Sequence, residues 1–155
     1  MLSRTDALAQ RLAFAIPALL IAGAYVGEYG FRLPPCEMCW WQRYPHFVAI
    51  GLALLSTFTP PRRMWIALAA LAIGVSGVIG VFHAGVEWDW WAGPDHCTGM
   101  AQSFEDMLAA RVVRCDEAAW RFVGLSLAGW NALFSIGGAA AIALLLVAKD
   151  RVSRT

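Results

Sequence analysis

Four long runs without a charged side chain constrain this chain more than any other feature of its sequence. They extend over Leu12–Gly27, Tyr44–Pro61, Met64–Val86 and Phe122–Ala148. A helix that crosses a bilayer needs about 20 mostly apolar residues. The composition agrees, because 59% of the residues are hydrophobic and 15% are charged, whereas soluble domains have about 45–50% and about 25%. The sequence therefore predicts an all-α membrane protein.

The predicted fold is a single membrane domain over residues 1–155, a bundle of four transmembrane helices. The spans are expected at approximately 12–28, 40–59, 64–86 and 122–148, and the two outer loops at approximately 29–39 and 87–121. A cleaved secretory signal is the alternative for the first span, since arginines precede it and "AGA" at 22–24 resembles a cleavage site. We favour an uncleaved span because it completes an even-numbered bundle.

Charged residues are distributed unequally between the two sides of this bundle. The N-terminus, the turn at 59–65 and the C-terminal tail hold seven basic and two acidic residues. The outer loops and the adjoining span edges hold five basic and nine acidic residues. Basic residues mark the cytoplasmic side, so both termini are predicted to be cytoplasmic. All four cysteines then lie outside, where disulfides persist, and these are Cys36, Cys39, Cys97 and Cys115.

The second outer loop is the largest segment predicted to lie outside the membrane. It begins with "EWDWWAGPDHC", whose tryptophans suit the membrane–water interface. Apolar residues then recur at helical spacing, namely Met100, Phe104, Met107, Leu108 and Val112. This pattern predicts a short amphipathic helix that lies either on the bilayer surface or on top of the bundle.

The stretch "PPCEMCWWQR", residues 34–43, carries the strongest chemical signal. If a helix begins just after Pro35, the spacing i, i+3, i+7 puts Cys36, Cys39 and Arg43 on one face. The positive end of a helix and a nearby guanidinium both favour the thiolate, which is the reactive form. The pattern favours a redox-active pair. A fixed structural disulfide and half of a zinc site are the alternatives.

The other two cysteines, Cys97 and Cys115, enclose 17 residues and are predicted to form a second disulfide. Closing a loop of this size stabilises a fold by about 3 kcal/mol in the chain-entropy model, so a purely structural role is one interpretation. The other follows from the turn-forming context "GPDHCTG". An accessible disulfide there can be attacked by the thiol of another protein, and can relay oxidising equivalents inward. His96 either tunes Cys97 or is simply solvated.

A lipid-soluble quinone is the expected electron acceptor for a thiol at the bilayer edge. Its head group needs hydrogen-bonding or cationic partners. Arg43, one turn after Cys39, is one candidate, and His83, near the outer end of the third helix, is the other. An ionisable residue within a span is a functional candidate by default, although His83 can instead form a hydrogen bond to a neighbouring helix. His46 follows on roughly the same face as Arg43, but the adjacent Pro45 prevents a definite placement.

These motifs together resemble the DsbB family, the quinone-dependent thiol oxidases of the bacterial inner membrane. The similarity covers nearly the whole chain: four spans, a "PC-x-x-C" motif with an arginine four residues after its second cysteine, and a second outer cysteine pair. The segment "CDEAAWRFVGLSLAGWNAL" at 115–133 is also typical of the family.

The resemblance implies a role for each cysteine. Cys97 would form a mixed disulfide with a DsbA-like periplasmic oxidase of the thioredoxin fold, and Cys115 would be its disulfide partner. Cys36 would receive the electrons. Cys39 would pass them to a quinone, either ubiquinone or menaquinone, through a thiolate–quinone adduct.

The resemblance also assigns Arg43 and His83 to positions near the quinone. Two features depart from the family pattern. Gln42 stands where some members have an acidic residue, so we assign it no role. The segment 98–114 is shorter than in the best-known members, which leaves the docking of the partner open.

The sequence therefore predicts an inner-membrane thiol:quinone oxidoreductase that reoxidises a DsbA-like partner and sustains disulfide bond formation. That partner, the quinone and membrane lipid are its expected contacts, and no nucleic-acid partner is expected. A VKOR-like quinone reductase shares this logic with a different order of cysteines and helices. The remaining alternatives are a structural protein with two inert disulfides, and a metal- or haem-handling membrane protein that uses Cys36, Cys39, His83 and His96.

Overall fold

The structure, a computed structural model, describes residues 3–94, 97 and 113–152. The described part is mostly helical, with α1 (Arg4–Tyr25), α2 (Glu37–Phe58), α3 (Arg62–Glu87) and α4 (Leu127–Val152). A π-helical turn, Val26–Gly30, extends α1, and an antiparallel ribbon of β1 (Arg121–Phe122) and β2 (Leu125–Ser126) precedes α4. His96 and the amphipathic helix predicted within 100–112 lie outside the described residues.

Three of the described helices are long and apolar enough to cross a membrane. They occupy Arg4–Gly30, Arg62–Glu87 and Leu127–Ala148, and they characterise the chain as a membrane protein. The remaining helix, α2, has 22 residues, but its first half contains Gln42, Arg43 and His46. All three side chains are buried within the protein. The polar side chains of α2 therefore point towards the other helices.

The ends of the first and last helices differ from the predicted spans. α1 begins at Arg4, because the Ser3 hydroxyl accepts the Asp6 N–H and the Asp6 carboxylate accepts the Ser3 N–H. This is a capping box, which fixes a helix start. α4 begins later than predicted, at Leu127. Val123 and Gly124 both have positive φ, at 50° and 82°, and such a pair forms a tight hairpin turn that occupies the beginning of the predicted span.

Small side chains allow the helices to approach closely. Six of the ten residues in the main buried cluster are alanines, which come from α1, α2 and α3, and small residues are what packed membrane helices require. Further along α3, a Cβ at Gly77 would lie 2.7 Å from the Ile136 Cγ1 of α4. This close packing holds together the helices that position the cysteines.

The chain after α3 folds back on that helix. The Trp91 indole Nε1 donates to the Phe82 carbonyl at 2.7 Å. The Trp91 ring occupies the space that a side chain at position 85 would need, since a Cβ at Gly85 would clash with it. Gly93 packs in the same way on Val86. These contacts direct the chain across the top of the bundle towards Cys97.

Candidate active site

The first cysteine pair lies at the N-terminus of α2, where the sequence predicted a helix start after Pro35. Cys36 is the N-cap residue, and its sulfur accepts the Cys39 N–H at 3.2 Å. The two sulfurs are 2.7 Å apart and both cysteines are free thiols. Cys36 is buried, whereas Cys39 is partly exposed. One thiol of the pair is thus shielded and the other is presented to its surroundings.

The thiols of Cys36 and Cys39 differ in acidity. Both residues lie before the predicted span at 40–59. The hydrogen bond between their sulfurs raises the pKa of Cys36 and lowers the pKa of Cys39. The reason is that the Cys36 S–H donates to the Cys39 sulfur and stabilises its thiolate. The positive charge of Arg43 further lowers the pKa of Cys39. Cys39 is therefore the more nucleophilic member of the pair, because the thiolate is the reactive species.

The second pair forms a disulfide, Cys97–Cys115, and packs against the first. Cys36 and Cys115 belong to one buried cluster, against which Cys39 and Cys97 also pack. Cys115 is 2% exposed, whereas Cys97 is partly exposed. An external thiol can therefore approach Cys97, while Cys115 lies on the side of the first pair.

His83 of α3 lies against the buried thiol. Its Nε2 is 3.7 Å from the Cys36 sulfur and 3.7 Å from the Glu87 Oε1. Its Nδ1 is 2.8 Å from the Gln42 amide nitrogen of α2. The hydrogen bond to a neighbouring helix, which the sequence left as the alternative for His83, is therefore present. Gln42, to which no role was assigned, orients the imidazole.

Arg43 is held on three sides. Its Nη1 is 2.6 Å from the Glu28 Oε2. The guanidinium carbon lies 5.0 Å from the centre of the Tyr25 ring and 4.8 Å from the centre of the Trp40 ring, within the range of cation–π attraction. Glu28 belongs to the π-helical turn after α1, a feature found frequently at functional sites. The sequence predicted Arg43 but not this partner.

A cavity of about 270 Å³ lies beside Cys39, between α1, α2 and α4. Its wall is largely apolar, with Leu19, Leu20, Ala24, Ala128 and Phe134 among its residues. The polar side chains that line it are Glu28, Cys39, Gln42, Arg43, His46 and Asn131. Cys36 and His83 are not among the lining residues. Arg43 and Cys39 thus line the cavity, whereas His83 does not line it and lies against the buried thiol of Cys36 instead.

A buried polar network connects the cavity wall to the bundle core. The Asn131 Nδ2 donates to the Gln42 Oε1 at 2.8 Å, and the Asn131 Oδ1 lies 2.9 Å from the His46 Nε2. The Ser76 Oγ is 2.9 Å from the same His46 nitrogen. The His46 Nδ1 is buried and has no hydrogen-bond partner among the described residues. α2 continues through Pro45, so His46 shares the face of Arg43.

The sequence contained a signal for part of this network. Polar side chains at 39, 42, 43 and 46 recur at i, i+3, i+4 and i+7, which places them on one helical face. That pattern identifies Gln42 and His46 as neighbours of Cys39. Asn131 carries the only side-chain amide in the last uncharged run, but nothing in its sequence context indicates which helix it contacts.

Helices of membrane-spanning length, a free dithiol and a disulfide in one cluster define a membrane protein built for thiol–disulfide exchange. Residues 6–145 match the family described as "Disulfide bond formation protein DsbB". The chain belongs to the DsbB family, and it is a membrane oxidoreductase of disulfide bond formation.

Individual relatives agree with this assignment. "Disulfide bond formation protein B" of Marinobacter nauticus is 31% identical over 136 residues, which cover 79% of this chain and 81% of that protein. The protein of the same name from Paracidovorax citrulli is 28% identical over 151 residues, which cover 88% of this chain and 84% of that protein. No solved structure matches the chain.

Proposed function

We propose that this protein is an inner-membrane thiol:quinone oxidoreductase that reoxidises a DsbA-like periplasmic dithiol oxidase. One observation carries the proposal: Cys39, whose pKa is lowered, lines an apolar cavity while its partner Cys36 packs against the Cys97–Cys115 disulfide. A dithiol in this position can receive electrons through the accessible disulfide and pass them to a molecule bound in the cavity.

The cavity fits a quinone, either ubiquinone or menaquinone. Its volume of about 270 Å³ is near the lower end of the roughly 300–1,000 Å³ of ligand pockets, which suits a head group whose lipid tail extends outward. A guanidinium has five N–H donors, and the Glu28 carboxylate accepts from one nitrogen of Arg43, so other donors remain for a quinone carbonyl. A bound quinone would accept two electrons and two protons and leave as quinol.

The dithiol would supply the two electrons when it closes to a disulfide. Cys36 would release one of the two protons, and the other would come from the medium because Cys39 is already a thiolate. The Cys39 thiolate is the group at the cavity wall. Cys36 must then lose its proton before its sulfur can bond to that of Cys39. The Gln42 amide nitrogen donates to the His83 Nδ1, so the Nε2 carries the ring proton. This Nε2–H, 3.7 Å from the Cys36 sulfur, would stabilise the Cys36 thiolate by donating to it. His83 would therefore act on the dithiol rather than directly on the quinone.

The second disulfide would connect the dithiol to the partner protein. A thiolate of the partner would attack the partly exposed Cys97 and release Cys115. Cys115 and Cys36 belong to the same cluster, so exchange between them would pass the electron pair to an oxidised Cys36–Cys39 bond. The net reaction converts a dithiol of the partner into a disulfide and restores the Cys36–Cys39 dithiol.

The proposed function also requires a definite topology. We propose four spans, with α2 crossing between α1 and α3, both termini in the cytoplasm and all four cysteines at the periplasmic face of the bacterial inner membrane. The asymmetry of basic residues supports this orientation. Accessibility of single introduced cysteines to a membrane-impermeant maleimide tests it.

A reconstituted assay tests the function. The purified protein is mixed with a reduced thioredoxin-fold oxidase and ubiquinone, and both partner thiols and quinone absorbance are followed. Wild type is expected to oxidise about one partner dithiol per quinone reduced, and Cys39→Ser to do neither. Asp89→Asn is the control, since Asp89 is an exposed carboxylate at the same end of the bundle. Failure of the intact protein to oxidise the partner would refute the proposal.

A further inference from the structure

We propose that the reduced Cys36–Cys39 pair and His83 form a binding site for a zinc-like divalent cation, and that oxidation of the pair abolishes it. The binding itself does not depend on quinone chemistry. Its consequence, inhibition of turnover, rests on the function proposed above.

The three ligand atoms are already close together. The two sulfurs and a ring nitrogen of His83 all lie within 4.8 Å of one another. Zinc–sulfur and zinc–nitrogen bonds of about 2.3 and 2.1 Å at tetrahedral angles separate sulfur from nitrogen by about 3.6 Å. The Cys36 sulfur is 3.7 Å from the His83 Nε2. This pair therefore has the spacing that a tetrahedral ion requires before any ion binds.

One adjustment is needed. Two zinc-bound sulfurs lie about 3.8 Å apart, whereas the sulfurs of Cys36 and Cys39 are 2.7 Å apart. Cys39 is partly exposed and faces the cavity, so rotation of its side chain can widen the gap without moving the buried Cys36. Loss of the sulfur–sulfur hydrogen bond is compensated because each thiolate bonds to the ion.

The surroundings support the ligands. A ligating histidine normally donates its second ring N–H to an acceptor. The Gln42 amide nitrogen lies 2.8 Å from the His83 Nδ1, and a half-turn of that amide would bring its oxygen there as the acceptor. A further donor is available, because the Glu87 Oε1 is 3.7 Å from the His83 Nε2. The Glu87 Oε2 is buried and has no hydrogen-bond partner among the described residues. A cation would give that oxygen a partner.

Binding has a defined stoichiometry. One divalent ion binds both sulfurs as thiolates and displaces the proton of Cys36, so the ion and the two thiolates together carry no net charge, which suits a buried position. Zinc has no redox chemistry and holds both sulfurs as thiolates. A disulfide has no thiolate to offer, so the oxidised pair releases the ion. A bound ion thus keeps the Cys36–Cys39 pair reduced, and its binding competes with oxidation of the pair to a disulfide.

Cobalt(II) is the probe for this site, because thiolate ligation gives an intense charge-transfer absorption. Reduced wild type is expected to bind one Co²⁺ per chain, and excess Zn²⁺ is expected to displace it. Cys36→Ser should lose the thiolate absorption, and protein oxidised with diamide should not develop it. His83→Ala and His83→Gln should weaken binding at least tenfold. His96→Ala, which removes the histidine next to Cys97 in the sequence, should bind like wild type.

Two results would overturn the proposal. One is the absence of thiolate–cobalt absorption in the reduced wild type, and the other is unchanged affinity in both His83 variants. The consequence for turnover is measured separately, as slower reaction of the dithiol with a soluble disulfide reagent and with quinone in the presence of Zn²⁺. If quinone reduction fails without any metal, the proposed function fails while the cobalt titration remains a valid test.

Discussion

Arg43→Met should be the most damaging single substitution near the cavity. The Arg43 and Glu28 side chains are 7% and 17% exposed, with 2.6 Å between Nη1 and Oε2. Two unit charges about 4 Å apart interact by about 4 kcal/mol at an effective dielectric constant of about 20. Removal of one partner from a buried pair costs about 3–5 kcal/mol, because the other charge stays buried and unpaired. Loss of the contacts with Tyr25 and Trp40 adds about 1 kcal/mol.

A double-mutant cycle isolates the pair from these other contributions. Glu28→Gln should destabilise on its own, and the double variant should be no less stable than Arg43→Met, which gives a coupling free energy of about 2 kcal/mol or more. Unfolding in mixed micelles with increasing sodium dodecyl sulfate, followed by tryptophan fluorescence, measures each variant. Arg114→Met is the control, since the Arg114–Asp116 pair is exposed and such pairs contribute about 0–1 kcal/mol.

A coupling below about 0.5 kcal/mol, the usual limit for independent sites, would show that Arg43 and Glu28 do not form a pair. An Arg43→Met variant as stable as Arg114→Met would refute the burial argument as well. In that case all the N–H donors of Arg43 would be free to contact a quinone, and Glu28 would not orient the guanidinium.

Three further predictions concern the thiols and the packing. Because the pKa of Cys39 is lowered, iodoacetamide should alkylate it at lower pH than an ordinary thiol in the reduced protein. Cys36→Ala, which removes the S–H donor, should shift the alkylation midpoint to higher pH, and an unchanged midpoint would exclude that hydrogen bond. Gly77→Ala should destabilise the protein by about 1–3 kcal/mol, as overpacking does. Gly74→Ala should be nearly neutral, because its Cβ would lie 3.6 Å from the nearest atom. Equal stability of the two variants in micelle unfolding would contradict the close approach of α3 and α4 at Gly77. Cys97→Ser should abolish oxidation of the partner but retain oxidation of the reduced dithiol by quinone, and loss of both would show that the two pairs do not act in series.

Local rules predicted the position of the first cysteine pair. Prolines before Cys36 and helical spacing from Cys36 to Arg43 are properties of a few neighbouring residues, and the helix begins at Glu37 as expected. Uncharged runs predicted the helices in the same way. α4 begins at Leu127, within the span expected at approximately 122–148. The positive φ of Val123 before it is unusual for a β-branched residue, and only the Gly that follows indicates a turn.

The partners of the site residues could not be predicted, because they depend on how the helices rotate and pack. Glu28, which pairs with Arg43, lies 15 positions earlier in the chain, in the π-helical turn after α1. Asn131 reaches Gln42 from a helix 89 positions further along the chain. Neither contact leaves a trace in local sequence patterns.

The polarity of α2 has a physical explanation in these contacts. A polar side chain inside a membrane protein must find partners within the protein. Gln42, Arg43 and His46 do so in α3, in the turn after α1 and in α4, respectively. The same three side chains line the cavity beside Cys39. α2 is therefore the helix without an uninterrupted apolar stretch of spanning length among the four described, because its first half carries the polar side chains of the site. The other three helices supply both the apolar length and the partners that make its buried polar face stable.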